Sequence, residues 1–102
     1  MEYQLVIQFA GDSTEVFDAM IAIEDELFET VTDAEVDGHD IGSGEANIFV
    51  LTDDPAATFA QIKPVLDNAG YLDAVKVAFR ETDGEDFTVL WPQNFNGHFE
   101  VL

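Results

Sequence analysis

The chain has 102 residues, 47% of them hydrophobic, which is enough apolar material for one domain with one core. Its 22 acidic residues face three basic ones, Lys63, Lys76 and Arg80, for a formal net charge of -19. Such a surface repels phosphate backbones and anionic lipids, so nucleic acid and membrane partners are not expected, whereas cationic partners are allowed.

A surface adapted to high salt, where screening removes the repulsion, is a second explanation of the acidity. The absence of Cys excludes disulfides, thiol catalysis and zinc-thiolate sites. The opening MEYQLVIQF has no basic region and no long apolar run, so neither a signal peptide nor an anchor is expected. The expected location is cytoplasmic.

Residues 3–9 predict a first strand. Tyr3, Leu5, Ile7 and Phe9 share one face, and Gln4, Val6 and Gln8 the other. Asp12-Ser13-Thr14-Glu15 reads as a helix start, with Asp12 or Ser13 as N-cap. Val16, Met20, Ile23 and Leu27 then form the apolar stripe of a helix, widened by Phe17, Ile21 and Phe28. Glu24, Asp25, Glu26 and Glu29 crowd its C-terminal end, where the macrodipole disfavours negative charge.

Residues 33–52 predict a β-hairpin. A three-residue loop, Gly42-Ser43-Gly44, with Gly44 left-handed, places Val36 opposite Val50, Asp37 opposite Phe49 and His39 opposite Asn47. In that register Ala34, Val36, Gly38, Ala46, Ile48 and Val50 face the helices. Glu35, Asp37, His39, Ile41, Glu45, Asn47, Phe49 and Leu51 face away.

Asp54 and Pro55 fit the N-cap and first position of a second helix, with Phe59, Ile62 and Leu66 inward. Pro64 should bend that helix, and Gly70 should end it. Residues 72–80 predict a fourth strand, with Ala74, Lys76, Ala78 and Arg80 on its outer face. After an Asp-Gly turn, Phe87 to Trp91 predicts a short fifth. Residues 93–102 form a tail whose Phe95, Phe99, Val101 and Leu102 suggest packing on the domain or on a partner.

The expectation is therefore an α+β chain, a single domain over residues 1–102. It is a two-layer βαββαβ plait with an added C-terminal fifth strand and a mostly antiparallel sheet, of strand order 4-1-3-2 with the fifth beside the fourth. On this element order, residues 2 to about 80 resemble the ferredoxin-like αβ plait. The stretch DGHDIGSGEANIF also resembles that of small uncharacterised bacterial proteins of this fold. The plait hosts many unrelated functions, so the resemblance implies a fold and no activity.

No catalytic or metal constellation stands out, and no cofactor is implied. His39 among carboxylates suits a divalent metal or a proton carrier, and equally the solvated face of an edge strand. Gly42-Ser43-Gly44 joins two strands and lacks the Lys of a phosphate-binding loop, so it reads as a turn. His98 joins His39 only if the tail crosses the sheet.

The sheet face away from the helices carries more. Val6, Ile41, Phe49, Leu51 and Ala78 make it apolar, and Lys76 and Arg80 project from it. It predicts an interface, covered by a second copy, by the tail with Phe95 and Phe99 as plugs, or by another protein.

The leading functional expectation is a small acidic non-enzymatic binding domain, acting as a homodimer through that face. A small-molecule or divalent-metal binding domain, or small enzyme, is one alternative. Its ligand would lie against the sheet, with His39, Asn47, Lys76, Arg80 and Trp91 as contacts. An immunity-like protein that neutralises a basic partner is another.

Overall fold

The fold is given by a computed structural model, which describes residues 1–101. Five strands and two long helices follow in the order β1 (Tyr3–Ala10), α1 (Thr14–Thr30), β2 (Ala34–Gly42), β3 (Glu45–Thr52), α2 (Pro55–Asn68), β4 (Val75–Glu81) and β5 (Thr88–Trp91). The sheet order is β2-β3-β1-β4-β5, and each neighbouring pair is antiparallel. This is the ferredoxin-like plait with an added fifth strand. Leu72–Ala74, expected as strand, form instead a 3-10 turn that leads into β4.

The two-residue alternation of β1 explains the layering. Leu5, Ile7 and Phe9 point into a core shared with Met20, Ile23 and Leu27 of α1, Ile48 and Val50 of β3, Ile62, Val65 and Leu66 of α2, and Val75 and Val77 of β4. Each such large apolar side chain contributes about 1.5–3 kcal/mol when fully buried. Phe17 and Ile21 pack against this core, but Phe28 lies outside it, 60% exposed.

Local chemistry fixes the helix ends. Ser13 is the N-cap of α1, its side chain accepting from Val16 N. Asp12 instead accepts from Gly44 N, which ties the start of α1 to the hairpin turn. Asp54 caps α2 by accepting from Ala57 N, with Pro55 next. At the other end, Gly70 has φ +78, and Tyr71 N and Gly70 N donate to the carbonyls of Leu66 and Asp67. That is a Schellman closure, which only a left-handed residue permits without strain. The helix runs through Pro64, which lies on its exposed side.

The hairpin departs from the expected register in one way that matters. Val36 does pair with Val50, but Gly38 pairs with Phe49, His39 with Ile48, Asp40 with Asn47 and Ile41 with Ala46. Asp37 is a bulge between Val36 and Gly38. The loop is accordingly two residues long, Ser43 and Gly44, both with positive φ (+55 and +82), the pattern of a tight hairpin turn. The odd residue of the hairpin sits in the strand and not in the loop. Beyond it, His39 and Ile41 face the helices, whereas Gly38 and Asp40 face away.

A second bulge lies between β4 and β5, where Val77 pairs with Trp91 but Ala78 pairs with Val89. It turns Trp91 toward the helix layer, where it joins the core cluster.

Candidate functional site

On the sheet face away from the helices, Val6 of β1 and Ala78 of β4 are neighbours in register and fully buried. The tail covers them. Phe99 packs on both, with Phe49, Phe87, Val89 and Val101 around it. Its ring meets Phe87 edge-on, with centroids 4.9 Å apart. Gln8 Nε2 donates to the carbonyl of Glu100 at 2.9 Å and anchors the tail to the central strand. Leu51 and Phe49 on β3 stay half-buried. Leu102 lies outside the described residues.

The five expected ligand contacts do not converge. Asn47, Lys76 and Arg80 lie on this face, while His39 and Trp91 lie on the helix side, for the two bulges reverse them. Ile41, expected in the apolar patch, is reversed by the same bulge. Asn47 and Lys76 flank Gln8 in register, one on each neighbouring strand. Asn47 is buried and its Nδ2 donates to Asp40 Oδ1 at 2.9 Å and Glu45 Oε1 at 3.2 Å. Both carboxylates thus receive amide protons.

Lys76 Nζ lies 5.4 Å from the centre of the Phe95 ring. Arg80 Nη1 donates to the carbonyls of Glu81, Thr82 and Gly84 at 3.0, 2.9 and 2.9 Å, closing the turn after β4. The third cation, Lys63, lies 4.7 Å over the Trp91 ring. Trp91 Nε1 donates to the carbonyl of Leu72, which fixes that ring as a shelf. Each cation is held by a π face or by backbone carbonyls.

The helix side holds a pair that sequence reasoning missed. His39 Nδ1 lies 2.9 and 3.1 Å from the two oxygens of Glu24, a buried residue of α1. Phe17 packs against the imidazole. The missed signal was positional: Glu24 falls four residues after Met20 and three before Leu27, inside the apolar stripe. His98 stays apart, highly exposed, with Glu100 Oε2 3.5 Å from its Nε2. Among the described residues no three His, Asp or Glu side chains are grouped to hold a metal ion, and no helix is long and apolar enough to cross a membrane.

The helix layer has a groove of its own between α1 and α2, of about 440 Å³. It holds neither His and is lined mainly by small and apolar side chains. No protein-family model matches the chain, and no curated protein matches it significantly.

Proposed function

We propose that the chain is a non-enzymatic protein-interaction domain whose partner presents a cationic surface. The supporting observation is the use made of its three cations. Lys63 and Lys76 lie over aromatic rings and Arg80 closes a turn. His39–Glu24 and His98–Glu100 are close histidine–carboxylate contacts, and 22 acids face only three Lys and Arg. Most of the acidic surface is therefore left to solvent ions or to a partner. A basic partner would be steered by that field at low ionic strength and released as salt screens it. An immunity-like neutraliser of a basic protein is one form of this reading.

Calorimetric titration with Lys- and Arg-rich peptides tests it. The expected result is saturable one-to-one binding that weakens steeply with salt. Loose association with many sites, or no heat at low salt, would sink it.

A homodimer through the sheet face is the second reading, favoured by the half-buried Phe49 beside Phe99 and by the half-buried Leu51 two residues further along β3. It must press together two chains of charge -19 over a face whose centre Phe99 occupies. Light scattering at low and high salt separates the two readings, since such a dimer forms only where the repulsion is screened.

A further inference from the structure

The groove between the helices has a lining that can be read as chemistry. α1 contributes Ala19, Ala22, Ile23 and Glu26, whose spacings of three and four place them on one helix face. Val65, Asn68 and Ala69 form the opposite wall, with Tyr71 just beyond. Ile23 and Val65 are buried and make the floor. Ala22, Glu26, Asn68 and Ala69 are exposed and make an open rim. The alanines keep both shoulders low, so a third backbone can approach to the roughly 8–10 Å of packed helices.

The one charged side chain that lines this trough is acidic, Glu26. α1 also exposes Asp18, Asp25 and Glu29 and contains no Lys or Arg. The single cation of α2, Lys63, is engaged with Trp91. A second copy of this chain would bring acidic helices to an acidic rim. Phosphate and anionic lipid are repelled in the same way. What remains is an apolar ridge flanked by positive charge.

We infer that the α1–α2 groove seats a basic amphipathic helix of a partner protein. The partner's apolar side chains enter the trough, and its Lys and Arg side chains reach Glu26 and the other exposed acids of α1. This inference rests on the cationic-partner reading and deepens it.

The probe is a designed helical peptide of about 18 residues, roughly 27 Å long, with Leu and Ala on one face and Lys on the other. Its control has the same composition, scrambled so that no apolar face forms. The amphipathic peptide should bind one to one, roughly in the micromolar range at low salt, and at least about tenfold tighter than the control. Amide shifts should change over residues 19–26 and 65–71. Ala22→Trp, which fills the trough from an exposed position, should weaken binding at least about tenfold. Ala60→Trp, on exposed α2 surface outside the groove, should leave it unchanged. Ala22→Arg, which repels without filling, gives the same reading should the larger side chain disturb the helix. The groove is overturned when the scrambled peptide binds equally, when both Ala22 variants keep full affinity, or when the shifts fall on Phe49 and Leu51. The cationic-partner reading survives those results. It falls with the groove when neither peptide binds.

Discussion

Glu24 and His39 face one another across the gap between α1 and β2, with the imidazole Nδ1 2.9 Å from one carboxylate oxygen and 3.1 Å from the other. Glu24 is buried, while the His39 side chain is 34% exposed. Removing one member leaves the buried carboxylate without its partner. His39→Ala should therefore cost about 1–2 kcal/mol, less than the roughly 3–5 of a fully buried pair because water can reach the vacated site. Replacing the acid is the opposite case. Glu24→Leu continues the apolar stripe and should leave stability equal or higher. Urea unfolding midpoints check both, and an unchanged midpoint for His39→Ala would remove the pair from any account of stability.

The tail should behave as part of the fold. Phe99→Ala empties the cover over Val6 and Ala78, at an expected cost of about 2–4 kcal/mol. The same variant should bind a hydrophobic dye that the parent does not. A variant with parental stability and no dye binding would mean that this face needs no cover.

At the hairpin turn, Ser43 and Gly44 both adopt positive φ. Asn tolerates that region better than Ser, so Ser43→Asn should stabilise by a few tenths to about 1 kcal/mol. Gly44→Ala should destabilise by about 1 kcal/mol or more, since no open space around a Cβ relieves backbone strain. Thermal melts of the two variants should move in opposite directions.

Salt should raise the melting temperature most between about 0.01 and 0.15 M, where the Debye length falls from roughly 30 to 8 Å. A plateau beyond that range is the outcome expected of a domain whose acidity serves a partner. A rise continuing well past about 1 M is the behaviour of a surface built for high salt, and would turn the argument toward that explanation.

The element order and the caps were legible because each rests on local chemistry, and the sheet order because crossovers are right-handed. Ser13, Asp54 and Gly70 do at their helix ends what their types predict. The register was legible only as far as Val36. An extra residue in a hairpin can be absorbed in the loop or in the strand, and the alternation of β3 suits both. Gly38, with φ +136, was the available hint, because a glycine inside a strand often marks a bulge. The cost of missing it fell on the candidate site, since every residue of β2 past Asp37 changes face. The groove between the helices was not legible at all. Ala19, Ala22 and Ala69 are unremarkable in sequence, and a concavity exists only once two helices are set side by side.

The bond from Gln8 to the carbonyl of Glu100 spans 92 positions of sequence, and Phe99 reaches Val6 over nearly the same distance. Contacts of that separation carry the largest loop-closure cost and are rewarded last. The sheet and its helices can assemble before the tail arrives, with Val6 and Ala78 exposed in the meantime. In kinetic terms the tail is a latch that shuts after the door. Changes at Phe99 should quicken unfolding while scarcely slowing folding. The lifetime of the native state, more than the speed of reaching it, is what that one ring should control.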